Sequence, residues 1–493
     1  MQKKYWLMII FILVLATRLI LAFSIPNFTY DSYYNLRHVE YVTENGFPLY
    51  QDGLSYGGRE FAFLPFFNYF MSSFDLFLPL EFAAKFIPNL LLASLTIIVF
   101  FISRKITKNE TASLFSALIV GFLPILYNTN SFSVESLFLP VVFLGIYSFL
   151  NIEKRFYLYL YLLTFLIASL TTPMTILILV GFLIYILLSF LESKKVKKAE
   201  LELIIFSMFF FIWLQFLFFK DVFLNEGISF VWRNVPTQII QLYFPKFTII
   251  GSIILLSFIP LLAGIHTVYR SLFTVKRQKI FLLISFVLST TLLAWLRLIE
   301  FKLALAFLGI ILAILFASFY KEMANYASKI KFVWLKKYLN YIILPILLIT
   351  MIIPLLDYSL QQETPSNEEI EAFQWLKENT PPDAGVASML KEGHLVSYYG
   401  ERKNIMDVNF NLIPNIEERF NNLNSLFTTK LQTHALDVFE KYDLDYIVVT
   451  PSAKEIYKIR RPPYTKGRCF EKFVYDNTTI YERKCEITDE NEK

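Results

Sequence analysis

The apolar stretch YWLMIIFILVLATRLILAFSI at residues 5–25 is followed by the polar stretch YDSYYNLRHVEY at residues 30–41. The first stretch is long enough to cross the hydrocarbon of a bilayer as one helix, which takes about 20 apolar residues. The second stretch carries a carboxylate, a guanidinium and an imidazole close to that span, and ionisable groups near hydrocarbon are costly and most often functional. Together they predict a membrane protein with a reactive loop at the water–lipid boundary.

Helical spacing places the residues of this loop on two adjoining faces. One face would carry Asp31, Asn35 and His38, and its neighbour would carry Tyr34, Arg37 and Tyr41. Asp31 is the candidate catalytic residue, because a carboxylate in a membrane cleft can activate a nucleophile. The alternative is a helix N-cap, in which the carboxylate accepts backbone N–H bonds.

The composition is that of a membrane protein. Of the 493 residues, 56% are hydrophobic and 18% are charged, and the mean hydropathy is +0.50, whereas a soluble domain carries about a quarter charged residues. Residues 357–493 hold 17 Lys and Arg against 24 Asp and Glu, and the preceding 356 residues hold 29 against 17. The cations of the first part lie between apolar stretches, where they set membrane orientation. The net charge of +5 therefore gives no argument for binding nucleic acid.

The apolar stretches predict a helical membrane domain over residues 1–356, with an external loop at 26–81. The eleven predicted spans are 5–25, 82–103, 111–127, 135–152, 156–171, 173–191, 201–219, 247–269, 279–296, 302–319 and 338–356. The basic clusters between them fall on alternate sides, on the side that a cytoplasmic N-terminus would place in the cytoplasm. An odd number of spans then leaves residues 357–493 outside the cell membrane.

Residues 357–493 predict a separate mixed α/β domain. An amphipathic helix is expected from Glu368 to Asn379, a buried strand at 446–449 and a later strand at 479–481. Cys469 and Cys485 are the two cysteines of the chain. On an oxidising face of the membrane they would close a hairpin by a disulfide.

Several further residues are candidates for the same external site. Glu135 opens a predicted span after the loop 128–134, either as a second catalytic carboxylate or as a first-turn acid favoured by the helix dipole. Four cations on the same predicted side could bind a donor phosphate through charge-assisted bonds, the alternative being that they snorkel to the interface: Arg37, Lys85, Arg297 and Lys302. Tyr33, Tyr34 and His38 complete the substrate loop; the tyrosines also suit an interface, and His38 is expected on the helix surface. The chain contains no Gly-rich nucleotide loop and no Cys/His metal cluster, which fits a donor that arrives in the lipid phase.

The Asp-x-Tyr-Tyr-x-x-Arg pattern from Asp31 to Arg37 resembles the first external loop of the oligosaccharyltransferase catalytic subunit and its archaeal relatives, which are GT-C glycosyltransferases. NGFP at 45–48 is similar too, and ESLFLP at 135–140 resembles the second acidic loop and the span after it. Arg297 with the apolar run 303–316 resembles an arginine-headed late span, WLKENTPPDA at 375–384 resembles the segment before the WWDYG motif, and residues 442–450 resemble a later strand. The resemblance implies a GT-C-like membrane domain and an inverting transfer from a lipid-linked sugar.

The chain departs from this family on the acceptor side. SMLKEGH stands at 388–394, where WWDYG would recognise the Thr or Ser of an acceptor sequon, and no TIxE-type segment is visible in the loop 220–246. The second-loop acidic pair is reduced to Glu135, which weakens the case for a divalent metal.

The sequence therefore predicts a membrane glycosyltransferase that uses no cofactor and moves a sugar from a polyprenyl-phosphate or -pyrophosphate carrier, such as dolichyl phosphate, to an external glycan, lipid or protein acceptor. One alternative is a divergent oligosaccharyltransferase for protein N-glycosylation, in which Asp31 and Glu135 hold Mg²⁺ or Mn²⁺. Another is a non-catalytic scaffold or a lipid or polymer transporter. A transporter should show broken helices and charges near the membrane midplane, whereas the ionisable groups here gather at one face of the spans.

Overall fold

The chain folds into two units, one made of long apolar helices and a smaller one of the α/β type. The structure is a computed structural model that describes residues 2–227, 248–275, 278–329, 333–410 and 412–485. The first unit comprises the described residues of 1–26, 64–232 and 247–362, and the second those of 27–63 and 363–493. Residues 27–63, which sequence analysis placed in the external loop of the membrane domain, thus pack within the second unit. Most of the loop 220–246 lies outside the described residues.

The first unit is built from helices. They are α1 Gln2–Ser24, α3 Phe66–Asp75, α4 Leu80–Thr107, α5 Glu110–Gly121, α6 Glu135–Phe149, α7 Arg155–Thr171, α8 Ile176–Leu191, α9 Lys198–Glu226, α10 Ile249–Leu256, α11 Phe258–Arg270, α12 Gln278–Trp295, α13 Phe301–Ala327 and α14 Val333–Leu360. The intervening helix α2, Ser32–Asn45, belongs to the second unit. Among the described residues, α1, α4, α8, α9, α12, α13 and α14 are long and apolar enough to cross a membrane, and α10 with α11 would make an eighth span. The shorter apolar helices α5, α6 and α7 occupy three further predicted spans. The multi-pass architecture is confirmed, while the count of eleven spans is not.

Helix α13 lies in the core of the first unit. It is apolar on all sides, which is typical of a helix surrounded by other helices, and its residues from Leu303 to Leu315 are buried except Leu308. It packs against α4, α5, α11 and α12. Close approach elsewhere depends on glycine: a Cβ on Gly181 of α8 would lie 2.2 Å from the ring of Phe286 in α12.

One predicted span is broken. Helices α10 and α11 meet at 88°, and Ser257 between them has a φ of 63°. Thr248 caps the start of α10, because its hydroxyl accepts a bond from the Gly251 N–H at 3.0 Å. The stretch predicted as one continuous span over 247–269 is therefore two helices among the described residues.

The second unit is built on a mixed five-stranded sheet. Its strands are β3 Gly385–Ala387, β4 Lys403–Asn404, β5 Tyr446–Val449, β6 Phe470–Tyr475 and β7 Thr478–Arg483, in the order β4-β3-β5-β7-β6, and β1 Gln51–Asp52 pairs with β2 Arg59–Glu60 separately. β3 runs parallel to β4 and β5, with Val386 opposite Tyr446. β7 is antiparallel to β5 and β6, with Ile447 opposite Tyr481. The strands predicted at 446–449 and 479–481 are both confirmed.

Helices surround this sheet. They are α2 Ser32–Asn45, α15 Asn367–Asn379, α16 Gly393–Tyr398, α17 Ile416–Thr428, α18 Gln432–Lys441 and α19 Pro451–Ile456. α15 matches the predicted amphipathic helix. It begins at a capping box of Ser366 and Glu369, which pairs otherwise unsatisfied N–H groups, and it ends before Pro381.

The disulfide between Cys469 and Cys485 is confirmed. It joins the residue before β6 to the segment after β7, and the Lys484 N–H donates to the Cys469 carbonyl at 2.9 Å. Closing a loop with a sequence separation of 16 residues stabilises a fold by about 3 kcal/mol in the chain-entropy account. The disulfide thus links the two ends of the β6–β7 hairpin at the edge of the sheet.

Candidate functional site

Asp31 lies at the start of helix α2 with an exposed carboxylate. The helix packs within the second unit through the buried Leu36, Val39 and Val42. It ends at Gly46, whose φ is 78°. Asp31 occupies the N-cap position but makes no side-chain capping bond. The proposed N-cap role is therefore not observed, and the carboxylate faces solvent.

The residues on both sides of Asp31 are anchored. The Tyr30 hydroxyl donates to Glu369 Oε2 at 3.1 Å, and the Lys391 ammonium lies 4.8 Å from the centre of the Tyr30 ring. On the other side, the hydroxyls of Ser32 and Thr29 are 2.8 Å apart. These contacts fix the backbone on either side of an exposed carboxylate, which is the preorganisation that a reacting group needs.

The segment Ser388–His394 follows strand β3 and turns inward. Ser388, Met389, Leu390, Gly393 and His394 are all buried. Lys391 alone within the segment is not buried, and its ammonium bonds to the exposed Glu363 at 3.1 Å. The segment 388–394, whose sequence was compared above with a sequon-recognition motif, is therefore largely buried in the second unit.

Glu392 of that segment is fully buried, with 0% of its surface exposed. Its oxygens accept bonds from the Thr450 hydroxyl at 2.6 Å and the Met389 N–H at 3.1 Å. Burial, together with the negative charge of Glu369, raises the pKa of Glu392 to about 8. Glu392 is therefore protonated at neutral pH beside the carboxylate that holds Tyr30.

His38 is not on the helix surface as predicted: only 1% of it is exposed. Its ring lies 4.2 Å from Tyr34, 5.2 Å from Phe61 and 4.9 Å from Phe63 between ring centres. The helix face assigned to His38 is covered by residues 61–63, which the spacing argument did not include. Burial and the nearby Arg37 guanidinium lower the pKa of His38 to about 3, so the imidazole is neutral at physiological pH.

Tyr33 and Tyr34 also face the second unit. Tyr33 is buried with its ring 5.5 Å from Tyr398 and 5.3 Å from Tyr399. Tyr34 is half-buried, and its ring is 5.4 Å from that of His394. Both tyrosines connect α2 to the segment after β3, and their predicted contact with substrate remains a prediction.

Arg37 is paired with Asp52 by two parallel hydrogen bonds. Nη1 donates to Oδ2 at 2.7 Å and Nη2 to Oδ1 at 2.6 Å, the bidentate geometry of the strong guanidinium–carboxylate pairs. Burial alone would raise the pKa of Asp52, but the Arg37 charge and hydrogen bonds hold it below its ordinary value. Arg37 thus ties helix α2 to strand β1. A donor phosphate could bind Arg37 only in competition with Asp52.

A further buried carboxylate, Asp407, holds the loop between β1 and β2. Its Oδ2 accepts from the Ser55 hydroxyl at 2.6 Å, and its backbone carbonyl accepts from the Tyr56 hydroxyl at 2.6 Å. The sequence gives no sign of Asp407, Asp52 or Glu392 as structural carboxylates, because their partners Ser55, Arg37 and Thr450 stand at no recognisable local spacing from them. The Ser-x-x-Glu spacing from Ser366 to Glu369 was a local signal that marked a helix start.

Lys85 belongs to the first unit and is buried at the end of α1. Its Nζ donates to the carbonyls of Ala22 at 3.1 Å, Ile25 at 2.6 Å and Pro26 at 2.7 Å. An ammonium has three donors, so these bonds can engage all of them. The geometry gives Lys85 a role in ending α1, and its phosphate contact stays a prediction.

Arg297 is exposed in the turn between α12 and α13, with a φ of 57°. The Arg297 N–H donates to Ala294 O at 3.1 Å and the Leu298 N–H to Leu293 O at 2.9 Å, the bond pattern of a helix end that normally carries glycine at this position. An arginine there costs about 1 kcal/mol of backbone strain. Lys302, half-buried, follows in the first turn of α13.

Glu135 is the first residue of α6 and is half-buried. The turn before it is fixed by the Ser136 hydroxyl, which donates to Ser133 O at 2.7 Å. Glu135 belongs to the first unit and Asp31 to the second. Within the described residues, no group of three or more His, Cys, Asp or Glu side chains is arranged to hold a metal ion.

Replacing Glu392 by glutamine should flatten the pH dependence of stability. A folded pKa of about 8, against an ordinary value of 4.5, means that the stabilisation is complete below pH 4.5 and is lost as the pH rises through 8. The loss is on the order of a few kcal/mol. Thermal unfolding of the full chain in detergent should show a fall in Tm over this window for the wild type and much less of a fall for Glu392→Gln.

Glu363→Gln is the matched control, because Glu363 is an exposed carboxylate of the same unit. It should keep the wild-type pH dependence. Parallel Tm profiles for the wild type and Glu392→Gln would contradict the assignment of a protonated, buried Glu392.

Comparison with known proteins gives matches by structure. No family model and no curated protein matches the chain. The oligosaccharyltransferase of Archaeoglobus fulgidus in its apo form has a TM-score of 0.70 at 15% identity, covering 96% of this chain and 74% of that chain. AglB from the same organism, in complex with an inhibitory peptide and a dolichol-phosphate, has a TM-score of 0.63 at 16% identity, covering 90% and 69%. ArnT from Cupriavidus metallidurans bound to undecaprenyl phosphate has a TM-score of 0.60 at 11% identity, covering 97% and 98%.

These matches extend over nearly the whole chain, through both the helical unit and the α/β unit. At such low identity they establish the fold. The chain has the fold of the GT-C membrane glycosyltransferases and resembles the archaeal oligosaccharyltransferase AglB, as the first-loop pattern predicted.

Proposed function

We propose that this protein transfers a sugar from a polyprenyl-phosphate or -pyrophosphate carrier to an acceptor on the external face of the cell membrane. The observation that carries the proposal is Asp31: an exposed carboxylate, without a capping bond, between two anchored neighbours. It lies in a chain with the GT-C fold. An acid that serves only the solubility of the protein does not need fixed neighbours, whereas a catalytic acid must be held in position.

The chemistry proposed for Asp31 is proton transfer. The acceptor nucleophile attacks the anomeric carbon, the bond from that carbon to the carrier phosphate breaks, and the phosphate leaves with the electron pair. The Asp31 carboxylate accepts the proton of the nucleophile or orients it for attack. Attack opposite to the leaving phosphate inverts the anomeric centre.

The donor assignment rests on the fold and on Arg297. AglB is in complex with a dolichol-phosphate and ArnT with undecaprenyl phosphate in the matching structures, and we extend this donor class to the present chain. Arg297 is the phosphate ligand we favour, because it is exposed and occupies a strained position at which glycine would cost less. Arg37 and Lys85 are less favoured as phosphate ligands, because both are engaged by protein groups. Lys302 is proposed to assist Arg297 in binding the phosphate. Glu135 is proposed as the second catalytic carboxylate.

The acceptor is proposed to differ from a sequon peptide. Ser388 is buried and Glu392 is engaged by Thr450 and Met389, so these groups of the segment 388–394 are not presented to a hydroxyl. A glycan, a lipid or another kind of protein site is the acceptor class that remains.

The membrane orientation is also part of the proposal. The basic clusters between the apolar helices favour a cytoplasmic N-terminus, which places the second unit and Asp31 outside. A carrier lipid exposes its phosphate at the headgroup layer of the outer membrane face, which is the side on which Asp31 is proposed to lie.

One observation favours the transporter alternative. Helices α10 and α11 form a broken span, a feature that transporters use at their binding sites. The two readings differ in what Asp31 does, because a transporter forms no glycosidic bond.

Asp31→Asn should abolish sugar transfer while leaving the protein folded, because the amide keeps the shape and loses the proton acceptor. A positioned base contributes typically 10²–10⁴-fold in rate, and we expect a loss of that order. Transfer from a labelled polyprenyl-linked sugar by protein in proteoliposomes is the measurement. Glu44→Gln, which removes an exposed acid from the same helix, is the control and should transfer at the wild-type rate. Wild-type turnover by Asp31→Asn would overturn the role of Asp31.

An Asn-x-Thr peptide should not be a specific acceptor. A site built to bond a hydroxyl rejects the analogue without it by 10⁴–10⁵ in the best cases, and the segment 388–394 keeps its polar groups inside. The test compares the peptide, its Thr→Ala analogue and no peptide, each with and without EDTA followed by Mn²⁺. Hydroxyl-dependent, metal-restored glycosylation would place the oligosaccharyltransferase alternative first.

A further inference from the structure

Arg18 is a charged side chain within the apolar helix α1, and 1% of it is exposed. Its Nε donates to Asn89 Oδ1 at 3.1 Å, and its guanidinium carbon lies 4.9 Å from the centre of the Tyr127 ring. Within the described part of the chain, no carboxylate forms an ion pair with it. A buried guanidinium without a counter-charge is costly, and replacing a buried ionic group by a packed apolar one often stabilises a protein. Such a residue calls for a functional explanation.

Asn89 of α4 connects Arg18 to the loop at residues 127–130. It is also 1% exposed, and its Nδ2 donates to Lys85 O at 2.8 Å and to Thr129 O at 3.0 Å. A guanidinium only donates hydrogen bonds, so Arg18 holds the amide oxygen on its own side. The amide nitrogen is thereby directed to the carbonyl of Thr129. Arg18 therefore orients the bond that Asn89 makes to the loop.

The segment Tyr127–Asn130 is also held by a residue from another part of the chain. Gln362, just after α14, donates from Nε2 to Tyr127 O at 2.9 Å and accepts from the Asn130 N–H at 3.2 Å. The Tyr127 hydroxyl donates to Gly121 O at 2.8 Å. We call Arg18, Asn89 and Gln362, with the loop groups they bind, the loop clamp. It fixes the backbone that leads through residues 131–134 into Glu135.

We propose that Arg18 and Asn89 are positioning residues, which hold the segment 127–130 so that Glu135 is presented to the reacting groups. This inference rests on the proposed function, in which Glu135 is the second carboxylate. Neither residue needs to touch substrate. Their effect would pass through the bond from Asn89 to Thr129, because a displacement of about 1 Å at a reacting group can cost 10²-fold in rate.

Asn89→Asp separates positioning from charge burial. The aspartate keeps the volume and the oxygen that accepts from Arg18, and it supplies the missing counter-charge. It removes the N–H that reaches Thr129 and places a carboxylate oxygen there instead. Asn151→Asp is the matched control, because the Asn151 side chain donates a local bond to Tyr147 O at 2.8 Å, outside the clamp.

Two readouts on the full chain in nanodiscs test the proposal. Hydrogen exchange of residues 127–134 should become about tenfold faster in Asn89→Asp. Transfer from a labelled polyprenyl-linked sugar should lose about 10²-fold in kcat, with the KM for the donor unchanged within about twofold. Asn151→Asp should match the wild type in both.

Each outcome decides a part of the inference. Wild-type exchange in Asn89→Asp would overturn the clamp, and faster exchange with wild-type kcat would overturn its positioning role. A wild type that transfers no sugar would overturn the proposed function, while the exchange data would still decide the clamp. Gln362→Glu removes the N–H that donates to Tyr127 O. This variant serves in place of Asn89→Asp if Asn89→Asp does not fold.

Discussion

Polar groups placed among apolar helices need partners inside the protein, because hydrocarbon offers none. In the first unit this constraint produces the Lys85 bonds at the end of α1 and the path from Arg18 through Asn89 to Thr129. Of these bonds, the one from Asn89 to the Thr129 carbonyl also fixes the short loop before Glu135, while the bonds of Lys85 fix the end of α1. Satisfying buried polar groups and positioning a candidate site residue are thus one structural solution in this unit.

The second unit fixes its candidate residue in a different way. Asp31 is exposed, but Tyr30 before it is held by Glu369 and Lys391, and Ser32 after it by Thr29. The carboxylate is therefore solvated and available while its backbone is fixed, and a neighbouring protonated Glu392 limits the negative charge around Tyr30 at neutral pH. This combination suits a proton acceptor better than a structural cap, and it is the reason for placing transfer chemistry at Asp31.

Local and periodic features could be predicted from sequence, whereas side-chain partners could not. The multi-pass pattern of apolar helices, the amphipathic helix ending at Asn379, the strand at 446–449 and the cysteine pair all depend on short patterns, and the structure confirms them. The buried state of His38 depends on residues 61–63, and Glu392 depends on Thr450, so no local spacing reveals either. The first-loop pattern predicted the GT-C fold that the structural matches show, while the segment 388–394 could be seen to differ from the WWDYG motif but not to be buried.

The central claim is that this chain consumes a lipid-linked sugar, and the most direct test is to measure those lipids in cells. Mass spectrometry of membrane extracts should show a polyprenyl-linked sugar that accumulates when the gene is removed and returns to its normal level when the gene is restored. An envelope component should lose the same sugar in parallel. Identical lipid-linked sugar pools with and without the gene would contradict the account.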